Sequence, residues 1–252
     1  MTKAHLIILF LFISSTYSVM SQEIKEVETS PLLNTNWHQK GLYAKYSPDN
    51  GMIGCWSTAF AQIFYFHSLF PKGQINYTLS NNNKIKINID TVHFSSRKFP
   101  EKLDQKTSQN LINDVAMYSF CTATIIKKDF GSGSYLWEKE EIEAILEKHY
   151  DCKVNFYEYN QTELETKFDS IVILIQNEID NKRPMLYYVE DSKRKFGHAM
   201  VIDGYKFKKN HFYIHLNMGW NGRSDGWYRL DKRVFIQYND KEQRILYTIN
   251  PS

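Results

Sequence analysis

The sequence predicts an α+β fold in which helices and strands are segregated along the chain. Apolar residues recur at helical spacing over four ranges, 55–68, 108–122, 138–149 and 163–181. From residue 183 onward, short runs rich in aromatic and β-branched residues alternate with turn residues. Because one kind of element follows the other along the chain, we expect the two kinds to form separate lobes.

The composition indicates a globular protein. The chain has 252 residues, of which 42% are hydrophobic and 15% aromatic, enough to bury one domain or two closely packed lobes. The net charge is +3, and its 31 basic and 28 acidic residues are scattered along the chain. No basic stripe is formed, so a nucleic-acid partner is not expected.

The first 21 residues have the layout of a secretory signal peptide. Lys3 precedes an apolar run from Leu6 to Ile13, and the small residues Val19 and Ser21 come just before Gln22. A buried N-terminal helix is the alternative. No later stretch is apolar for long enough to span a membrane, so we expect a secreted or periplasmic protein with no integral span after cleavage.

The remaining chain divides into a lead-in and one domain. Residues 22–36 form an extended lead-in or minimal pro-segment, and residues 37–252 form the domain. Within the domain, a helix-rich lobe covers about 37–182 and a strand-rich lobe about 183–252. Residues 41–54 are dense in glycine, proline, asparagine and aspartate, which predicts a loop before the first helix.

Cys55 stands where this loop becomes the helix, in the stretch GMIGCWSTAFAQIFYFH. Backbone N–H groups and the helix dipole at a helix N-terminus favour a thiolate, which is the reactive form of cysteine. Gly54 allows an unusual backbone angle and a close approach of substrate. Taken alone, a cysteine that opens an apolar helix is more often a packing residue than a nucleophile, because cysteine is common in cores.

Three further residues strengthen the catalytic interpretation of Cys55. His198 begins the strand-like run GHAMVIDGY and follows Cys55 by 143 residues, within the window of about 130–150 between nucleophile and base in papain-like peptidases. Asn217 ends the next strand, where it can hold the imidazole, and Trp220 can shield that contact. Gln39 can supply, with the Cys55 N–H, a donor to an oxyanion.

No metal or cofactor is predicted. The three cysteines, Cys55, Cys121 and Cys152, form no CxxC pair, and the sequence has no HExxH stretch. An odd count leaves at least one free thiol, and a disulfide between Cys121 and Cys152 stays an open alternative.

Several segments resemble the streptopain family, a branch of the papain-like cysteine peptidases. The strongest are GCWSTAFAQIFYFH, GHAMVIDGY and NMGWNGRSDGWYRL, and weaker ones are LLNTNWHQ, DFGSGS and RPMLYYV. The resemblance extends from about Leu32 to Leu230. It implies a papain-like two-lobe fold, with a central helix that begins at the nucleophile and a β-rich lobe that carries the histidine.

The resemblance also implies endopeptidase activity, with Cys55 as nucleophile, His198 as general base and acid, and Gln39 as oxyanion donor. The loop 129–135 can wall the substrate cleft, because its glycines and serines let a peptide backbone approach, or it can be a simple connection. The predicted substrate-binding residues are Gly54, Gly131, Ser132, Gly197 and Trp220.

Two departures from the family pattern matter. Met218 follows Asn217 where the family usually has tryptophan, so the residue that orients His198 is Asn217, Trp220 or both. Only fifteen residues, 22–36, separate the proposed cleavage site from the domain. Zymogen control is therefore absent, minimal or supplied by a separate proteinaceous inhibitor.

The sequence thus predicts a secreted cysteine endopeptidase that hydrolyses peptide bonds of protein or peptide substrates. The predicted reaction uses a thiolate–imidazolium pair of Cys55 and His198 and an acyl-enzyme intermediate. Two alternatives remain: an inactive papain-like fold that serves as a secreted binding or adhesion module, and a Cys-His acyltransferase.

Overall fold

A computed structural model describes residues 26–138, 141–238 and 243–252. The predicted signal peptide, residues 1–21, lies outside the described residues. Within them the chain forms a mixed structure of helices and antiparallel sheet, which confirms the predicted α+β class.

The described helices agree in place with the predicted ranges. They are α1 (Cys55–Phe66), α2 (Gln109–Ile125), α3 (Ile142–His149), α4 (Gln161–Thr166) and α5 (Phe168–Asp180). The single helix predicted over 163–181 is two helices, which meet at Lys167. Asn160 caps the first of them: its side chain accepts from the Glu163 N–H, and the Glu163 carboxylate accepts from the Asn160 N–H.

The strands form one large sheet and one hairpin. They are β1 (Val27–Glu28), β2 (Gln74–Thr78), β3 (Lys84–Asn88), β4 (Cys152–Tyr159), β5 (Met185–Asp191), β6 (Phe196–Lys208), β7 (His211–Asn217), β8 (Gly226–Arg229) and β9 (Gln243–Pro251). The large sheet has the order β4-β9-β5-β6-β7-β8, and β1 also pairs with β6. Strands β2 and β3 pair only with each other in the described sheets.

The strand-rich part extends further toward the N-terminus than the sequence pattern indicates. No strand is predicted before residue 183, yet β4 lies at 152–159 and pairs along its whole length with β9. Buried Cys152 and Val154 alternate there with exposed Lys153 and Asn155, so the strand has a period of two. Helices and strands therefore do not separate at residue 182.

The large sheet is covered on both faces. On one face α1 packs against the side of β6 that carries Ala199 and Val201 and against Tyr247 of β9. On the other face α5 packs against Met200 and Ile202 of the same strand β6. Because side chains alternate along a strand, β6 contributes to two hydrophobic cores and is fixed from both sides.

Helix α1 is buried on nearly all sides. Every residue from Trp56 to Phe64 is buried, including the polar Gln62. The helix therefore has little freedom to move relative to β6. This packing fixes the position of Cys55, at the start of the helix, relative to His198, near the start of the strand. All the helices in the described ranges are too short or too polar to span a bilayer.

Candidate active site

Gly54 caps the start of α1 with a backbone that other residues do not readily adopt. Its φ is +88° and its ψ is 160°, in a region used almost only by glycine. A Cβ on Gly54 would overlap Tyr135 Oη and lie 3.3 Å from Lys128 Cε. The space beside the helix start is thus filled by Tyr135 and Lys128, and the predicted close approach at Gly54 is made by these two side chains.

Cys55 is the first residue of α1, and its half-buried thiol faces strand β6. Burial raises the pKa of this thiol; the backbone N–H groups of Ala199 and Trp56 and the ammonium of Lys128 act in the opposite direction. Ala199 follows His198 directly, so the structure brings Cys55 and the histidine block together. The pairing of the Cys55 thiol with the His198 imidazole stays a prediction.

The other two cysteines lie in a different environment. Cys121 and Cys152 are buried free thiols, and burial raises the pKa of each to about 12. A thiol with so high a pKa is inert near neutral pH. Lys153 and Lys72 act on Cys152 without offsetting its burial, and of the three free cysteines Cys55 is the one whose thiol faces backbone N–H donors.

Lys128 is a buried cation at the end of the loop 129–135. Only 3% of the residue is exposed. Its ammonium donates to the carbonyl oxygens of Gly133 and Ser134 and lies 4.7 Å from the centre of the Tyr135 ring. Burial lowers the pKa of Lys128, while the charges of Cys55 and Asp129 raise it. These contacts fix both ends of the loop beside the thiol.

His198 lies at the start of β6 and is only 4% exposed. Its Nε2 donates to the backbone carbonyl of Met218 over 3.0 Å. Trp220 lies against the ring, with the ring centres 4.5 Å apart and an interplanar angle of 31°. Burial lowers the pKa of His198 to about 4, although the bond to Met218 acts in the opposite direction. The imidazole is therefore neutral near pH 7, with Nε2 protonated.

Asn217 makes its hydrogen bonds to groups other than His198. Its Nδ2 donates to the Thr35 carbonyl (2.7 Å), and its Oδ1 accepts from Gln62 Nε2 (3.1 Å) and the Gly219 N–H (3.0 Å). The sequence predicts that Asn217, Trp220 or both orient the imidazole. In the structure the direct contacts are the ring of Trp220 and the backbone carbonyl of Met218, the residue that departs from the family pattern.

The backbone around Gln39 connects the cysteine side of the site with the histidine side. The Gln39 carbonyl accepts a hydrogen bond from the N–H of Ile53 over 3.1 Å, and Ile53 lies two residues before Cys55. On the other side, His38 forms a β-bridge with Trp220. The Gln39 side chain is half-buried. The segment that carries Gln39 is therefore anchored to both the cysteine loop and the histidine side.

The remaining predicted substrate-binding residues fall in two places. Gly197 lies directly under Tyr188, whose hydroxyl would overlap a Cβ at this position. Gly131 packs at the turn between β2 and β3, where a Cβ would lie 2.9 Å from Ser80 Oγ. Ser132 Oγ donates to Asp129 Oδ2 over 2.5 Å. The base of the loop 129–135 reaches Cys55, whereas its tip contacts the hairpin.

Four residues of the site are not among those predicted from the sequence. Lys128 and Tyr135 carry no motif, and a lysine in a glycine-serine loop is typical of solvated surface. Tyr188 is one aromatic residue among several in a strand, and it packs on Trp56 with the ring centres 4.7 Å apart. Gln62 had a usable signal, because an amide in an otherwise apolar buried helix requires hydrogen-bond partners.

Among the residues of ranges 26–138, 141–238 and 243–252, no group of three or more His, Cys, Asp or Glu side chains is arranged to hold a metal ion. The chemistry of the site is that of a thiol, an imidazole, and backbone and side-chain N–H donors.

A thiol at the start of a helix, beside a strand that carries a buried histidine as its third residue, fits the combination of nucleophile and base that cysteine peptidases use. The family model described as the peptidase C10 family matches residues 37–228, and the chain belongs to this family. The family confirms the predicted streptopain resemblance, and the predicted class of enzyme, a cysteine-type peptidase, agrees with it.

Named relatives agree with this assignment. Streptopain of Streptococcus pyogenes is 26% identical over 187 residues, which cover 71% of this chain and 45% of the relative. The chain thus matches less than half the length of that protein.

Two solved structures are similar in fold. The structure of active wild-type Prevotella intermedia interpain A, a cysteine protease, has a TM-score of 0.67 at 19% identity and covers 87% of this chain and 94% of its own. A prointerpain A fragment of the same organism has a TM-score of 0.63 at 20% identity, with 87% and 71% covered. At these identities the similarity supports the fold.

Proposed function

We propose that this chain is an exported cysteine endopeptidase that hydrolyses protein or peptide substrates through an acyl-enzyme on Cys55. The observation that carries the proposal is the placement of the thiol. It lies at the start of α1 and faces the N–H of Ala199, the residue after the buried His198. Family membership supports the reaction class.

His198 is the general base and acid. A neutral imidazole carries one proton, and the bond from Nε2 to the Met218 carbonyl uses it. Nδ1 is then the unprotonated nitrogen that can accept the thiol proton. Burial disfavours the charged form of each partner, so the pKa directions favour a neutral pair at rest in place of the thiolate–imidazolium pair predicted from the sequence. The thiol proton moves to His198 as the sulfur attacks the substrate carbonyl. His198 then donates this proton to the leaving amine.

The oxyanion that forms on the substrate carbonyl requires donors. The Cys55 N–H belongs to the first turn of α1, where backbone N–H groups lack helical partners. The second donor is the Gln39 side-chain amide, whose backbone is tied to Ile53. Water activated by His198 then hydrolyses the thioester and releases Cys55.

The substrate cleft lies between the loop 129–135 on one side and the histidine side on the other. Tyr188 contributes to its floor, since its ring packs on Trp56 and covers Gly197. Export by the segment 1–21 is part of the proposal, and a proteinaceous inhibitor stays a prediction.

The test compares wild type with Cys55→Ala on a reduced, unfolded protein substrate under reducing conditions. We expect hydrolysis by wild type and none by the variant. In parallel, iodoacetamide on the native protein should modify Cys55 and spare Cys121 and Cys152, because their thiols are buried with a pKa of about 12. Equal cleavage by wild type and variant would rule out the proposed nucleophile.

The same experiment separates the two alternatives. An acyltransferase would form product only when an amine acceptor is added. A folded protein that neither cleaves substrate nor reacts at Cys55 would be a binding module.

A further inference from the structure

We infer that Gln62, on the same helix as the nucleophile, is a positioning residue for His198. It acts through the side chain of Asn217 and the peptide between Met218 and Gly219. The inference rests on the proposed function for its catalytic consequence, whereas its structural basis is a continuous series of hydrogen bonds.

Gln62 is a fully buried amide within the apolar helix α1. Burying an amide is costly unless its polar atoms find partners. Its Oε1 accepts from the Trp37 N–H (3.0 Å), and its Nε2 donates to Asn217 Oδ1 (3.1 Å). One side chain of α1 therefore connects to the segment that carries Gln39 and to the end of β7.

The Asn217 amide has only one orientation that satisfies its partners. Its oxygen faces two donors, Gln62 Nε2 and the Gly219 N–H, and its nitrogen faces an acceptor, the Thr35 carbonyl. A flipped amide would place NH₂ against both donors and oxygen against the carbonyl. Because the pattern is complete, removing the Gln62 donor removes one of the two groups that hold the oxygen in place.

The peptide unit between Met218 and Gly219 transmits this orientation to the histidine. Its N–H donates to Asn217 Oδ1 (3.0 Å), and its carbonyl accepts from His198 Nε2 (3.0 Å). The peptide is rigid and planar, so the two bonds on its opposite sides are coupled in direction. Hydrogen bonds in such a series also polarise and strengthen one another.

Helix α1 supports the same peptide by direct packing. A Cβ on Gly219 would lie 3.1 Å from Thr58 Cγ2, one turn before Gln62. Gly219 has a φ of +67°, so a side chain at this position is disfavoured by both backbone and space. The carbonyl that holds His198 is thus fixed relative to the helix that begins at Cys55.

The substitution Gln62→Glu tests this role because it keeps the shape of the side chain. At pH 8 the introduced carboxylate can still accept from Trp37, but it presents an oxygen to Asn217 Oδ1 and has no proton to donate. We expect kcat to fall about tenfold to hundredfold, as for a small misplacement of a catalytic group, with KM changed less than about threefold. The difference in kcat between Gln62→Glu and wild type should become smaller at lower pH, because the introduced carboxyl gains a proton that it can donate to Asn217.

A spectroscopic measurement tests the same role without any substrate. In wild type the Nε2 proton of His198 is held by a carbonyl in a buried site and should appear as a downfield, slowly exchanging imidazole resonance in ¹⁵N-histidine NMR. In Gln62→Glu at pH 8, and in Gln62→Met, we expect this resonance to shift and exchange faster.

The matched control is Thr122→Val, which also removes buried helical hydrogen bonds, those of Thr122 Oγ1 with Tyr150 and the Tyr118 carbonyl. It should leave the His198 resonance and kcat per folded molecule unchanged. If Gln62→Glu does not fold, Gln62→Met carries the test. In an Asn217→Ala background, Gln62→Met should add little to the loss, and additive losses would contradict the coupling.

Wild-type kcat and an unchanged His198 resonance in both folded Gln62 variants would overturn the inference. Failure of the proposed function has a different signature. Wild type itself would then not hydrolyse substrate, while the resonance would still report whether Gln62 positions His198.

Discussion

The two sides of the site are held by different kinds of groups. Beside Cys55 lie the ammonium of Lys128 and the hydroxyl of Tyr135, which is 3.4 Å from Ser57 Oγ. The hydrogen bond of His198 goes to a neutral backbone carbonyl, and aromatic rings cover it. Burial dominates the pKa of the thiol, and the charge of Lys128 opposes it only in part, whereas neutral dipoles and packing set the geometry of the imidazole.

The largest effect should come from Gly54→Ala, on the nucleophile side. The new Cβ would overlap Tyr135 Oη, and the backbone conformation costs about 1–3 kcal/mol for a residue other than glycine. We expect kcat/KM to fall about a hundredfold, because a shift of about 1 Å at the nucleophile has that effect. Steady-state kinetics on a peptide substrate measure the change.

Two further variants identify the cause of that loss. Gly41→Ala also places alanine at positive φ (+63°), but no atom lies within 4 Å of its Cβ, so it should lower stability and leave kcat/KM unchanged. Adding Tyr135→Phe to Gly54→Ala removes the overlapping hydroxyl and should restore part of the activity. No restoration would mean that backbone strain alone is responsible.

An intermediate effect is expected for Trp220→Ala, on the histidine side. Without the indole, water reaches His198, and the pKa of its imidazole should rise from about 4 toward the ordinary value near 6.5. The loss of orientation should lower kcat about tenfold, as removal of one positioning contact does.

The pH dependence of stability checks the same substitution. Because the pKa of His198 is lower in the folded state, the unfolded chain binds the proton first as the pH falls below about 6.5. Wild type should therefore lose up to about 3 kcal/mol of unfolding free energy from this group between pH 6.5 and pH 4. Urea unfolding at several pH values should give a smaller loss for Trp220→Ala; an equal loss would show that the indole does not keep His198 neutral.

The smallest effect should come from Lys128→Met. Without the ammonium the pKa of the Cys55 thiol rises further, since Lys128 is one of the groups that lower it. We expect the thiolate of Cys55 to lose about 1 kcal/mol of electrostatic stabilisation, a modest interaction for charges inside a protein. Alkylation by iodoacetamide at pH 7 would then slow about fivefold. Lys127→Met is the control, because Lys127 pairs with Glu141 at 3.7 Å on the surface. Identical pH profiles for the two variants would mean that Lys128 serves only to fix the loop.

The sequence predicts the class of the fold because its signals are local, and the hypothesis that Cys55 and His198 are the catalytic residues rests on equally local signals. Gly54 and Cys55 mark a loop that becomes a helix, and His198 marks the start of a strand, so each is predicted from a few neighbouring residues. Strand β4 is missed because it follows a helix closely and pairs with β9, at the other end of the domain. Such long-range pairing leaves no local trace beyond its period of two.

The partner of His198 could not be predicted for a similar reason. A polar residue at the end of β7 suggests a direct bond to the imidazole, and Asn217 is there. Its amide is instead oriented by Gln62 and Thr35, which lie 155 and 182 positions away in sequence. The ammonium of Lys128 is likewise buried beside groups of its own loop, since it donates to the carbonyls of Gly133 and Ser134 and lies over the Tyr135 ring.

The position of Gln62 on α1 has a consequence for mechanical tolerance. Seven residues of helix, about 10 Å, separate it from Cys55, and this part of α1 is buried on nearly all sides. If α1 positions both the Cys55 thiol and the hydrogen bonds that support the His198 imidazole, a displacement of the sheet moves the two groups together. The distance between nucleophile and base would then be conserved even while the cleft around them changes width.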